Sequence, residues 1–332
     1  MGPELRRARR SLPRWLVAGG SFLRRHWLES VAVVSLLVLV LLVNPMRLAG
    51  VLGRVQPTVL ALMFPVVLLV YAFRALGWWV ALRHIGVRIS VYRSVYLMFA
   101  GQTLIFMPTG DLARVALVER TGASGRDEGT IAGTIVVQEL VYLGLIGLGV
   151  LPRLAMQPGI ALLVLLMVVA HVGIFVLILW RPAYEWAVGV VTRVRVFRRF
   201  RSRLESLRPA FLTVVRPWSL AGVLLWNAVA AGFLYLLFYL ALRAVGITQV
   251  SFADAAFTYG LAHILSGLSF LPGGVGSQEA IVTGLLASQG VPATAGAATS
   301  LVFRGFNDVV MALVGAASGL LVRRARRRRE AR

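Results

Sequence analysis

The chain contains no cysteine. That excludes a disulfide framework, a thiolate metal site and a cysteine nucleophile. Histidine is scarce as well. His26, His84, His171 and His263 are scattered along 332 residues, which is poor material for an imidazole metal site. Neither a metal nor a cofactor is therefore expected. Lysine is missing altogether, so all 35 basic residues are arginine, against 13 acidic residues and a net charge of +22. Charged residues make up 14% of the chain, whereas a soluble domain carries about 25%. No polar stretch is long enough to fold as a separate soluble domain.

What the chain does have is long apolar runs, such as Val31–Val43 and Gly159–Trp180, within a composition that is 58% hydrophobic. Runs of about 20 apolar residues match the thickness of a bilayer core, and the charges fall between them, as in a multi-pass membrane protein. The candidate segments are Trp27–Asn44, Thr58–Leu82, Val91–Met107, Gly129–Leu151, Gly159–Trp180, Ser219–Val245, Phe252–Leu271 and Pro292–Val322, with a shorter apolar piece at Ala280–Ala287. A cleaved signal peptide is not expected: the basic N-terminus is long and no small-residue site follows Val43. Arginine clusters lie at Arg6–Arg25, Arg193–Arg208 and Arg323–Arg332. Each abuts an apolar segment, so they read as cytoplasmic flanks drawn to anionic lipid headgroups, and not as a nucleic-acid surface.

Charge and parity then constrain the topology. With all three clusters cytoplasmic, residues 91–120 begin and end inside, and residues 252–290 begin and end outside. Each region holds an apolar stretch, a Pro/Gly break and a short second piece. Phe106-Met107-Pro108-Thr109-Gly110 resembles Phe270-Leu271-Pro272-Gly273-Gly274. Two interrupted segments at matching positions are the pattern of an inverted-topology repeat around a transport site. The expected fold is thus an all-α polytopic membrane bundle with about six full spans and two re-entrant helical hairpins. Its parts would be a basic cytoplasmic segment 1–26, a membrane domain 27–322 and a basic cytoplasmic tail 323–332. Within the membrane domain, repeats at 91–151 and 252–322 flank a cytoplasmic linker at 181–217, read as a pair of interfacial helices. The protein would lie in the cell membrane with both termini in the cytoplasm.

Ionisable residues at membrane depth are costly and usually face an interior or a wet cavity. Glu139 lies in the middle of one span. Arg304 and Asp308 lie in the middle of another, four apart and so on one helical face. Asp111 and Arg114 follow the first break, and Gln278 and Glu279 follow the second. These residues, with Gly273, Gly274 and Gly276, are the candidate site. Broken segments free backbone N–H groups that can hold an anionic headgroup, and the glycines allow close approach to a phosphate. The bland alternative is charge pairing alone, with Glu139 or Glu279 neutralising Arg304. Pairing or snorkelling is the expectation for Arg74, helix capping for Asp254 and ordinary packing for His263.

Leu271-Pro272-Gly273-Gly274-Val275-Gly276-x-x-Glu279, Gly290-Val291-Pro292 and Ala297–Arg304 together resemble the transmembrane region of lysylphosphatidylglycerol synthetases/flippases. Gly101-Gln102, Pro108, Gly110-Asp111 and Arg114 resemble the first half of the same pattern, with Asp111 where Glu is usual. Glu139 matches the Glu of a Glu-Arg pair, with Leu140 in the Arg position. The resemblance covers about residues 70–322 and implies translocation of a polar-headed lipid, with aminoacylated phosphatidylglycerol or a polyprenyl-linked sugar as the lipid class. It also implies no reaction of its own, because the chain stops ten residues after Val322 without the soluble aminoacyl-transfer domain. Membrane lipids are the expected partners, together with a separate lipid synthetase or glycosyltransferase; a homodimer is compatible with the pattern. A membrane-embedded transferase acting on a polyprenyl phosphate, or a non-catalytic scaffold for a synthetase, stands as the alternative.

Overall fold

The computed structural model describes residues 45–104, 113–119, 128–154, 158–193, 198, 201–267 and 274–319. The expected span Trp27–Asn44, both basic termini, Asp111 and Gly273 lie outside the described residues. Among those described, the chain is helical and has no strand. The helices are α1 (Pro45–Leu52), α2 (Pro57–His84), α3 (Val91–Gly101), α4 (Ala113–Glu119), α5 (Glu128–Gly147), α6 (Pro158–Leu179), α7 (Arg181–Arg193), α8 (Arg201–Val214), α9 (Pro217–Ala244), α10 (Phe252–Gly267), α11 (Ser277–Ser288) and α12 (Ala293–Arg304). A π-helical turn, Gly305–Val310, continues α12.

Among the described residues, four helical stretches are long and apolar enough to cross a membrane: Pro57–His84, Glu128–Val150, Pro217–Ala244 and Ala293–Gly319. The α6–α7 pair, bent by 98° at its junction, would make a fifth. The expected spans over 58–82, 129–151, 219–245 and 292–322 thus correspond to single helices or a helix with its continuation. Helix α6 is apolar on every side and leaves Leu162 and Val169 about 60% exposed, at 62% and 58%, which suits a helix facing lipid.

α2 and α9 form the most extensive helix pair and the centre of the main core. They are built alike. Each is 28 residues long with proline at its first position, where the missing N–H costs nothing. Each ends on a left-handed glycine, Gly86 or Gly246, followed by an apolar residue. Val87 N–H donates to Leu82 O at 3.0 Å, and Ile247 N–H to Leu242 O at 2.9 Å, closing a Schellman-type cap. A serine then caps the next helix in both cases: Ser90 accepts from the Arg93 N–H at 3.3 Å and Ser251 from the Asp254 N–H at 3.2 Å. The likeness between the two halves therefore begins upstream of the breaks on which it was first noticed.

Downstream of each serine cap the same succession follows. α3 packs on α4, and α10 packs on α11, across the two Pro/Gly breaks. α4 then packs on α5, and α11 on α12. One expectation needs correction. Asp254 is not the cap of α10; Ser251 is, and the Asp254 carboxylate instead pairs with Arg153. The 181–217 linker does fold as two helices, α7 and α8, and both keep an exposed side. α8 lies against α5, with Phe211 and Val214 fully buried, because its apolar residues fall on one side. Arg208 closes the joint by donating to the carbonyls of Ile178 and Leu179 at the end of α6, at 2.9 and 2.7 Å.

Candidate functional site

Two groups of charged side chains meet one cavity of about 840 Å³. The first is centred on Glu139 of α5. Arg74 of α2 donates to both carboxylate oxygens at 2.6 and 2.5 Å, and Arg114 of α4 reaches Oε1 at 2.9 Å. Arg114 is fully buried behind the carboxylate, while the Glu139 side chain keeps 34% exposure on the cavity side. The Arg114 guanidinium also lies over the Trp78 ring, 5.2 Å from its centroid, and donates to Gln138 Oε1 at 3.1 Å. Gln138 in turn donates to the Arg74 backbone carbonyl at 2.6 Å, so one amide sets both arginines. Charge-assisted bonds of this kind need such supports, since a buried ion pair is stable only when its remaining donors are met.

Gly101 explains how Arg114 reaches its place. A side-chain carbon on Gly101 would lie 2.6 Å from Arg114 Cγ. The end of α3 must be bare for the arginine stem to pass. This is the physical content of the Gly101-Gln102 pair that stood out in the sequence.

The second group is centred on Arg304 at the end of α12. Its Nε faces Glu279 Oε1 of α11 in a close ion pair, its Nη1 donates to Asp308 Oδ2 at 2.9 Å, and its Nη2 to Gln278 Oε1 at 3.2 Å. Glu279 is 1% exposed and lies behind Arg304. Its second oxygen accepts the Gly276 N–H at 2.7 Å. Gly276 has φ +84° and Gly274 φ +63°, a backbone region that L side chains avoid. The Pro/Gly break thus aims an N–H at the carboxylate and starts α11 beneath it. Asp308 sits in the π-helical turn, a feature often found at functional positions. Asn307 donates to its other oxygen at 2.7 Å.

Tyr71 joins the groups: its hydroxyl donates to the Asn307 carbonyl at 3.2 Å, and its ring lies 5.7 Å from the Arg74 guanidinium. Of the expected site residues, Glu139, Gly274, Gln278, Arg304 and Asp308 line the cavity. Arg114 and Glu279 stand directly behind, each bonded to a lining residue. The expected pairing of Arg304 with Glu279 holds, while Glu139 is held by Arg74 and Arg114. Arg74 pairs, one of the two outcomes expected for it, and does not snorkel: it is buried and one of the three charges of the first group. His263 stacks on Tyr259 at 5.7 Å, as a packing residue does, and also lines the cavity. Residue spacing offered no signal for Arg74, Gln138 or Tyr71, because their partners are 64 to 236 residues away.

Most of the remaining lining is apolar, apart from Gln102, Tyr142, His171 and Ser266. Val164, Met167 and Ile174 of α6, with Leu143 and Ile146 of α5, face Ile264 and Leu265 of α10. No group of three or more metal-ligating side chains occurs among the described residues.

Apolar spans enclosing a cavity lined by both charged and apolar side chains define a multi-pass helical membrane protein with an amphiphilic pocket. Residues 27–315 match the family described as Lysylphosphatidylglycerol synthase TM region, and the chain belongs to that family. It is similar to a UPF0104 membrane protein from Methanothermobacter thermautotrophicus, with 23% identity over 318 residues, covering 89% of this chain and 92% of the relative.

Proposed function

We propose that the protein is a lipid flippase: it carries a polar headgroup across the cell membrane through the cavity while the lipid tails stay in the bilayer. The observation that supports this most is the composition of the cavity wall. Arg74, Glu139, Arg304 and Asp308 bring charge to the lining, and α6, whose other face is open to lipid, brings Val164, Met167 and Ile174. A headgroup with a phosphate would meet the guanidiniums, which bind phosphate through paired N–H groups. Its tails would pass along Val164 and Ile174.

In this reading α3–α4 and α10–α11 are re-entrant hairpins that approach from opposite faces, with both termini cytoplasmic. The matched caps of α2 and α9 support the inverted repeat. Aminoacylated phospholipids and polyprenyl-phosphate-linked sugars are the substrates in view, and the protein carries out no reaction on them. The basic cytoplasmic segments hold anionic lipid, and a separate synthetase or glycosyltransferase supplies the substrate.

The test is headgroup translocation in liposomes containing the purified protein. Wild type is expected to move headgroup-labelled lipid between leaflets faster than protein-free vesicles, and the Arg304→Ala/Glu279→Ala variant to fall to the protein-free rate. Equal rates for wild type and variant would remove the site assignment. A new lipid product detected by mass spectrometry would favour the transferase reading.

A further inference from the structure

Arg304 serves two carboxylates at once, and the two are not equivalent. Glu279 is sealed behind it, away from the cavity, with its second oxygen held by the Gly276 N–H. Asp308 lies at the cavity surface, as do Gln278 and Arg304 itself. An anion arriving through the cavity therefore competes with Asp308 and Gln278 for the Arg304 Nη atoms, and leaves the Glu279 contact in place. Arginine cannot give up its proton to resolve the conflict. Two anions on the outer edge of one guanidinium repel each other strongly at membrane depth, where uncompensated charge is costly. The one group at this edge able to lose its charge is Asp308.

Resting on the lipid reading above, we propose that Asp308 takes up one proton whenever the phosphodiester of an anionic lipid headgroup engages Arg304, so that lipid and proton cross together. The proton comes from water on the loading side and forms an O–H bond at the Asp308 carboxyl. On the other side the phosphodiester leaves, Arg304 returns to Asp308, and the O–H bond breaks to water. No electron changes hands, and the cavity has the same charge before and after the cycle.

Other titratable groups surround Asp308. The same cavity is lined by Arg74 and Tyr71 on α2, Glu139 and Tyr142 on α5, His171 on α6, and Tyr259 and His263 on α10. Tyr71 bonds to the neighbouring Asn307, and Arg304 links Asp308 to Glu279. The two histidines titrate near the relevant pH in their ordinary state, so the test controls for both.

The experiment uses phosphatidylcholine vesicles containing the full chain, a pH-sensitive dye trapped inside, and phosphatidylglycerol with a short fluorescent acyl chain added to the outer leaflet. Inward movement of phosphatidylglycerol is expected to acidify the lumen by about one proton per lipid. Lowering the outside from about pH 7.5 to about pH 5.5 is expected to speed wild type about ten-fold or more, and Asp308→Asn less than about two-fold. Asp308→Asn also loses the acidification. His171→Gln and His263→Gln, whatever their rates, keep both. Phosphatidylglycerol moving into a lumen of constant pH would overturn the coupling, and so would loss of pH dependence in either histidine variant. If Asp308→Asn does not fold, the wild-type proton count decides alone. Failure of the lipid reading is distinct: no lipid then moves faster than in protein-free vesicles, and the coupling falls with it.

Discussion

The two halves of the molecule carry one arrangement with its polarity reversed. In the first, a buried arginine on a short helix, Arg114, stands behind a glutamate, Glu139, in the middle of the next span. In the second, a buried glutamate on a short helix, Glu279, stands behind an arginine, Arg304, in the middle of the next span. A third charge completes each: Arg74 from α2 in one, Asp308 from the π-helical turn in the other. The lesson is that the position of a buried charge pair belongs to the fold, while its sign is free to vary. Reversal makes the cavity bipolar, with a carboxylate and a guanidinium presented from each half.

The largest effect should come from breaking the rear member of either pair. Arg114→Ala and Glu279→Ala are each expected to cost about 2–5 kcal/mol, by emptying a buried site and taking from the lining charge one of its two partners. Reversible unfolding in mixed micelles measures both. Similar losses support equivalence of the halves, and a loss confined to one half breaks it. Replacing all three charges of the first group, Arg74→Met and Arg114→Met with Glu139→Gln, should cost less than Glu139→Gln alone, since no unpaired charge remains.

A smaller effect separates the ways in which the two halves seat their rear charge. Gly101→Val meets the Arg114 stem and is expected to cost about 1–3 kcal/mol by overpacking. Gly276→Ala forces a side chain into the left-handed region and is expected to cost about 1–2 kcal/mol. The same unfolding assay ranks them, and the reverse order would mean that the Arg114 stem yields more easily than the backbone of the second break. The smallest effect belongs to the exposed Arg181–Glu185 pair on α7. Glu185→Ala should leave the melting temperature unchanged, because solvent screens such pairs.

Much of this was legible in the amino-acid order. Long apolar runs placed the spans over α2, α5, α9 and α12, and the four-residue spacing of Arg304 and Asp308 put them on one face. Glu139 stood out as a lone carboxylate in an apolar run, and Glu279 as a carboxylate just after the second Pro/Gly break. What stayed hidden was the partner itself. Arg74 meets Glu139 from 65 residues away, and neutral residues such as Gln138 and Tyr71 carry no signal until packing gives them a charge to orient. The cap shared by α2 and α9, Leu-x-x-x-Gly followed by Val or Ile and then a capping serine, is visible in the sequence. It passes unnoticed when attention rests on charges and Pro/Gly breaks. The burial of α8 was masked by its charged residues, of which Arg201 and Glu205 stay exposed while Phe211 and Val214 are buried.

The central claim is that a lipid headgroup lodges between the two charged groups. The absence of native cysteine allows a direct measurement. Ser266 lines the cavity, whereas Val169 faces away from the packed core. A lipid carrying a thiol-reactive headgroup is added to vesicles holding Ser266→Cys or, separately, Val169→Cys, and adducts are quantified by mass spectrometry. The account predicts an adduct at position 266 that disappears when Arg74→Gln and Arg304→Gln are added, with no such dependence at position 169. An adduct at position 266 that survives loss of both arginines, or labelling confined to position 169, would contradict it.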